Sequence, residues 1–183
     1  MFLDTSQQLF VISDTHFNHA KILEYCSRPF KDVRTMDSAM VARWNSVVQT
    51  NDIIIHLGDF GLGNADVLAR IARQLNGVIY FVMGNHDRGS VNFYRQQCDF
   101  EKVYKGEPLI IPSLGAVFSH RPLADSEFDS ALINVHGHIH NRPLNDDPKY
   151  PPELFTASRH INVSADVQHF FPVPLLPLLG RQD

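Results

Sequence analysis

Leu9-Phe10-Val11-Ile12-Ser13-Asp14-Thr15-His16 decides how the rest of the chain is read. An unbroken apolar run, instead of an alternation of apolar and polar residues, is the pattern of a strand covered on both faces. The run stops at an aspartate and a histidine, side chains that bind metals and move protons. The same succession recurs downstream. Ile53-Ile54-Ile55-His56-Leu57 ends in Gly58-Asp59, and Val78-Ile79-Tyr80-Phe81-Val82-Met83 ends in Gly84-Asn85-His86-Asp87. Ala116-Val117-Phe118 ends in Ser119-His120, and Leu132-Ile133-Asn134-Val135 ends in His136-Gly137-His138-Ile139-His140. In open α/β sheets, sites form where the carboxyl ends of strands meet their loops. The recurrence places the chemistry of this chain at such an edge.

Helical patterns separate the first three runs. Met40, Trp44, Val47 and Val48 recur at i, i+4, i+7 and i+8, an amphipathic stripe. Asn64 is placed to cap a second helix carrying Val67, Leu68, Ile71, Ala72 and Leu75, with Asn76-Gly77 as its stop. A shorter helix is expected after Asn18, through Ile22 and Leu23. The order β-α-β-α-β predicts a layered α/β fold with parallel strands. In the second half the strands crowd together without long helices, so that half is expected to be β-rich. The segment from Phe170 to Leu179 contains Pro172, Pro174 and Pro177. It reads as an edge strand followed by extended chain. No linker divides the sequence, and residues 1–183 are expected to form one domain. Phe2, Phe10, Phe81 and Phe118 read as core, not as a platform for stacking bases.

A chain of 183 residues can bury roughly 70% of its unfolded surface. With 44% hydrophobic and 20% charged residues, its composition is that of an ordinary globular protein and excludes a disordered or fibrous one. The net charge of −4 argues against an extended nucleic-acid surface, which needs clustered Lys and Arg. Cys26 and Cys98 show no paired spacing and read as idle thiols in a reducing compartment. Met1-Phe2-Leu3-Asp4 lacks the features of a signal peptide, and no apolar run has membrane-spanning length. The expected location is the cytoplasm, with no membrane partner.

Each strand-end motif has a bland alternative. Asp14 could cap a turn, Gly58-Asp59 and Gly84-Asn85-His86-Asp87 could be tight turns, and His120 could be a surface histidine. Gly137-His138-Ile139-His140 is harder to dismiss, because residues i and i+2 of an extended segment face the same way. Taken together, in this order and at strand ends, the motifs outweigh the separate readings.

The ordered set Asp14-x-His16, Gly58-Asp59, Gly84-Asn85-His86-Asp87, His120 and Gly137-His138-x-His140 resembles the calcineurin-like metallophosphoesterase superfamily. Phe17-Asn18-His19 through Arg28-Pro29-Phe30 is similar to one of its small bacterial and phage subgroups. The resemblance implies a four-layer α-β-β-α sandwich, two mixed sheets flanked by helices, with a two-metal centre between the sheets. Asp14, His16, Asp59 and His140 would hold one divalent ion. Asp59 would bridge to a second, completed by Asn85, His120 and His138. His86 would stand beside the ions as the group that protonates the leaving oxygen, and Asp87 would orient it. These oxygen and imidazole donors suit Mn²⁺, with Fe, Zn²⁺ and Ni²⁺ as alternatives. Only two of the implied ligands are anionic, so two divalent ions would leave a positive site that attracts phosphate to an acidic protein.

The implied activity is metal-dependent hydrolysis of a phosphodiester or phosphomonoester, a small molecule or nucleotide, by a hydroxide activated at a binuclear centre. Arg88 and Arg121 follow motif residues, and either contact phosphate or are solvated surface arginines. Asn18 and His19 are placed to touch substrate or a ligand, although Asn18 is equally suited to cap a helix. His56 and His136 read as packed histidines, and His160 and His169 carry no functional argument. Residues 121–131 and 141–160 are the longest candidate substrate-facing loops. Two other functions fit the motifs. A non-catalytic metal-binding scaffold of the same fold, as in a retromer subunit, is disfavoured by the complete ligand set. A nuclease is disfavoured by the lack of a basic stripe. A homodimer would be unsurprising.

Overall fold

Residues 7–144 and 150–181 are described by the computed structural model. Phe2, the stretch Met1-Phe2-Leu3-Asp4 and part of the 141–160 loop lie outside the described residues. The chain runs through β1 (Leu9–Ile12), α1 (Ile22–Tyr25), α2 (Val33–Val47), β2 (Ile53–His56) and α3 (Ala65–Ala72). It continues with β3 (Val78–Val82), α4 (Val91–Gln96) and β4 (Lys102–Tyr104). Strands β1 to β4 lie parallel in the order β4-β3-β2-β1, and β9 (Val173–Pro174) adds antiparallel to the β1 edge. The second sheet comprises β5 (Leu109–Ile111), β6 (Ala116–Ser119), β7 (Ile133–His136) and β8 (His160–Asn162) in that order. Its β5–β6 pair is antiparallel and its other pairs are parallel. Both sheets are mixed, as the α/β reading expects.

Two cores explain the unbroken apolar runs. Phe10 and Ile12 point from β1 toward Met36, Met40 and Trp44 of α2. Leu9, Val11, Ile53 and Ile55 point the other way, into a layer shared with Ala116, Phe118 and Val135 of the second sheet. A strand sandwiched in this way has no solvent face, so no polar alternation appears. Phe10, Phe81 and Phe118 are all core. On the outer face of the second sheet, Asn134 and His136 are buried. That face carries 3-10 turns at Asp125–Glu127, Pro152–Leu154 and Ala157–Arg159 in place of long helices. Among the described residues no helix is long and apolar enough to cross a membrane.

The helix signals act as the sequence suggests in α2 and α3. Asp32 accepts from the Thr35 N–H, and Asn64 from the Val67 N–H. Helix α3 ends at Ala72, and the chain reverses at Gly77, whose φ of +94° would strain any side chain. Two expectations are corrected. Asn18 does not cap a helix, because α1 starts at Ile22 without a side-chain cap. Instead Asn18 sits at φ +57°, donates from Nδ2 to the Leu62 carbonyl (2.7 Å), and gives its N–H to the Asp37 carboxylate (3.0 Å). The chain after β9 is not extended either, since Leu175–Leu178 forms a helical turn, α5, with Leu175 buried. Pro174 and Pro177 are compatible with it because the first N–H groups of any helix lack intrahelical partners.

The residues beyond β1 also pair with those beyond β8. Ser13 N–H donates to Val163 O (3.0 Å), and Ala165 N–H donates to Ser13 O (2.8 Å). This bridge between the sheets brings the carboxyl ends of β1, β2, β3, β6 and β7 to one edge.

Candidate metal centre

Two donor clusters form at that edge. Asp14, His16 and His140 each offer one donor atom within 4.8 Å of the others, and Asp59, His120 and His138 do the same. Asp59 Oδ2 lies between them, 3.6 Å from His16 Nε2 and 3.5 Å from His120 Nε2. Asn85 Oδ1 lies 2.9 Å from His120 Nε2. The seven residues expected as ligands are therefore brought together.

Hydrogen bonding leaves the donor atoms free. Asp14 Oδ2 accepts from the His138 N–H (2.8 Å) and the Ser164 hydroxyl (2.9 Å). Asp14 Oδ1 and His16 Nε2 are buried and have no hydrogen-bond partner among the described residues. Such orphans cost about 1–3 kcal/mol each unless something else satisfies them. His120 Nδ1 lies 2.8 Å from the Leu57 carbonyl and so carries a proton. Its Nε2 is then a lone pair facing Asn85 Oδ1, His138 Nδ1 (3.2 Å) and Asp59 Oδ2. Oxygen and nitrogen atoms converging in this way are the arrangement of ligands to a cation, and oxygen and imidazole donors match a divalent one. The residues fit such ions.

Titration reflects the same burial. Burial works to raise Asp14, but His120, His140, His16 and the His138 N–H outweigh it and hold the carboxyl below the usual range. Burial raises Asp59. Burial depresses His16, and burial with the neighbouring His120 takes His138 down to about 4. His140 goes the other way: burial opposes its charge, yet the Asp166 carboxylate lifts it to about 10. A cation at this position competes with that proton.

A third close group, Cys26, His140 and Asp166, has a different character. Asp166 accepts from His140 Nδ1 (2.8 Å) and in bidentate fashion from Arg28 (2.8 and 3.0 Å), so its lone pairs are already engaged.

Backbone conformation is as distinctive as the side chains. Asp14, His16, Asp59, His138 and His140 all have positive φ, between 50° and 70°. The expectation that His138 and His140 share a face of an extended segment is thereby corrected. Left-handed turns send His138 to one cluster and His140 to the other. Glycines permit the close approach, since a side chain at Gly137 would collide with Ser13 Oγ and Asp14 Oδ2, and one at Gly84 with Asp59 Oδ1.

The role expected for Asp87 is also corrected. Among the described residues its carboxylate makes no hydrogen bond to the His86 ring. It accepts from the N–H groups of Asp59 (2.7 Å), Phe60 (3.0 Å) and Gly84 (2.7 Å), fastening the β2 and β3 loops together. Burial lifts it to about 6. His86 is exposed, and its N–H donates to Asp59 Oδ1 (2.8 Å). Its ring meets those of His16 and His19 at centroid distances of 5.4 and 6.3 Å. His19 Nδ1 lies 3.2 Å from His16 Nδ1. His56 and His136 are fully packed.

Three clefts open around the centre. One of about 440 Å³ has His16 and His140 on its floor and Tyr25 and Arg142 on its walls. A second, about 400 Å³, is lined by Arg88, Leu62, Leu68 and Phe93, and His86 borders both. Arg121 lies in a third, beside Asn85, His120 and Lys105. Both expected arginines are therefore at the site's margins and exposed. Sequence reasoning missed Asp166 and Ser164, reached Arg142 only as part of the 141–160 loop, and passed over Tyr25 within the Phe17 to Phe30 stretch. No motif flags any of them, and Arg28 entered only through resemblance.

The family model for calcineurin-like phosphoesterases matches residues 8–173. An uncharacterized protein of Methanocaldococcus jannaschii is 35% identical over 171 residues, covering 92% of this chain and 88% of that one. A solved structure of a protein of unknown function from Aquifex aeolicus superposes with a TM-score of 0.72 at 23% identity, covering 94% of this chain and 98% of that one. The latter likeness speaks for the fold.

Proposed function

The chain belongs to the calcineurin-like phosphoesterase family, and from that premise we propose that it is a metal-dependent hydrolase of small phosphodiesters. The observation that carries the reading is the pair of donor clusters sharing Asp59 Oδ2. Asp14, His16, Asp59 and His140 would hold one divalent ion, and Asp59, Asn85, His120 and His138 the other, with Mn²⁺ the ion first supplied. Bound there, the ions would lower the pKa of water and neutralise the charge of the phosphoryl oxygens.

The chain's own residues do the rest. His86 reaches the cleft from a backbone tied to Asp59 Oδ1, where its imidazole can protonate the departing ester oxygen. Asp87 acts at one remove, holding the β2 and β3 loops in register. A diester has two arms and a monoester one. Clefts on either side of His86, each with an arginine, fit two arms. Tyr25 offers an exposed aromatic face to a planar group in one cleft. Leu68 and Phe93 offer apolar contact in the other.

The test is a panel of aryl and nucleoside phosphodiesters and monoesters assayed with Mn²⁺ and with EDTA. Turnover is expected with Mn²⁺, abolished by EDTA, with a higher kcat/KM for diesters. Protein that binds Mn²⁺ and cleaves no ester at all would refute hydrolysis; faster cleavage of monoesters would refute the diester preference.

A further inference from the structure

Arg28 lies 138 residues from Asp166, yet the two form a bidentate pair. Arg28 is 4% exposed. Its Nε and Nη2 donate to the two oxygens of Asp166 (2.8 and 3.0 Å), Nη1 donates to the Thr15 carbonyl (2.8 Å), and Nη2 also donates to the Asp14 carbonyl (2.7 Å). One buried cation thus grips the backbone of the loop carrying Asp14 and His16, together with the carboxylate that touches His140. Asp166 Oδ2 receives the His140 Nδ1–H at 2.8 Å. The His140 carbonyl is fixed in turn by Asn162 Nδ2 (2.7 Å).

We infer that Arg28 and Asp166 form a positioning pair that fixes His140 with its proton on Nδ1, so that Nε2 faces the Asp14–His16 cluster as a lone pair. The inference rests on the reading of that cluster as a cation site. Asp166 accepts only; a donor in its place would force the proton of His140 onto Nε2 and occupy the coordinating lone pair. Arg28 has two functions. It compensates the charge of Asp166, so the pair adds no net charge to the centre, and it locks the orientation of the carboxylate. Lysine could do the first and not the second, because a single ammonium cannot span two carboxylate oxygens and two carbonyls. Orienting carboxylates behind metal-bound imidazoles are worth about 10–100-fold in metal affinity.

Calorimetric titration with Mn²⁺ of the wild type, Asp166→Asn, His140→Ala and the double variant tests this. Wild type is expected to bind two ions. In Asp166→Asn one of the two should weaken about 10–100-fold, while the other is held. If Asp166 acts through His140, the double variant should bind no more weakly than His140→Ala alone. Losses that add fully in the double variant, or two unchanged affinities in Asp166→Asn, would overturn the inference. A wild type that binds no Mn²⁺ would instead overturn the cation site itself. Should Asp166→Asn not fold, ¹⁵N NMR of the Zn²⁺-loaded wild type decides: a proton on His140 Nδ1 supports the pair, and a proton on Nε2 refutes it.

Discussion

His56 lies fully buried at the end of β2, stacked near Trp44 and edge-on to Phe60 and Phe81. Its Nδ1 accepts the Gly58 N–H (3.1 Å), so Nε2 carries the proton and donates to Thr15 Oγ1 (3.0 Å), whose hydroxyl donates onward to the Phe60 carbonyl (2.8 Å). Neither ring nitrogen can take another proton without losing a bond. Burial accordingly depresses His56 from 6.5 to about 3. For a base held neutral in the folded state, the contribution to stability is fully present above the unfolded pKa and is lost as pH falls toward the folded one. The window here runs from about pH 6.5 down to 3, with a slope of about 1.4 kcal/mol per pH unit.

The perturbation is His56→Phe, which fills the same aromatic niche and cannot titrate. It orphans the Gly58 N–H, a cost of about 2 kcal/mol, so at pH 7.5 the variant should be the less stable protein by that amount. Below pH 6.5 the wild type alone loses the His56 contribution. At about 1.4 kcal/mol per unit, the two stabilities should meet near pH ~5 and invert below it. His136, also depressed by burial to about 4, titrates in both proteins and cancels from the difference. Urea unfolding at several pH values between 7.5 and 4.5, with a chelator present to remove ion binding, supplies the curves. A stability difference independent of pH would refute the argument.

His86→Ala should keep both ions by metal analysis and lose about 10²–10⁴-fold in kcat; wild-type turnover would remove it from the chemistry. Gly137→Ala should displace Asp14 or Ser13, cost about 1–3 kcal/mol by overpacking, and lower the metal content of purified protein. Asp87→Ala should release three N–H groups of the β2 and β3 loops, which predicts a loss of at least about 2 kcal/mol in denaturant unfolding and a weaker second ion. Retention of full stability would return Asp87 to a role at His86.

What could be read from sequence was what is local. Apolar runs reveal strands because each residue of β1 or β2 meets a core on one side or the other, and a ligand directly beyond such a run has one place to be. Adjacency misled where the backbone turns sharply. His86 and Asp87 are neighbours in the chain, yet Asp87 points back under the loops while His86 points out. Asn18 has a capping side chain but a left-handed backbone, whereas the N-caps Asp32, Asn64 and Ser90 are extended. Asp166 and Ser164 could not be found, because their partners His140, Arg28 and Asp14 lie 26, 138 and 150 residues away. Only the pairing of the segment after β8 with Ser13 brings them in.

The left-handed ligands explain why so much of the sequence supports so few side chains. Asp14, His16, Asp59, His138 and His140 share a conformation that costs roughly 1 kcal/mol each for residues with a Cβ. Together that approaches the net stability of a small domain. Strain of this size persists only if the surroundings leave the backbone no alternative. The restraints are visible: Gly58 O and Asp59 O accept the Asp14 and His16 N–H groups (both 2.9 Å). Arg28 holds the Asp14 and Thr15 carbonyls, and Asp87 holds the Asp59 N–H. Every one of these bonds joins segments that are separate in sequence and end at the same edge. The bridge between the two sheets matters to the site as well as to the fold, since Asp14 and His16 from one sheet meet His140 from the other, and Asp59 meets His120 and His138.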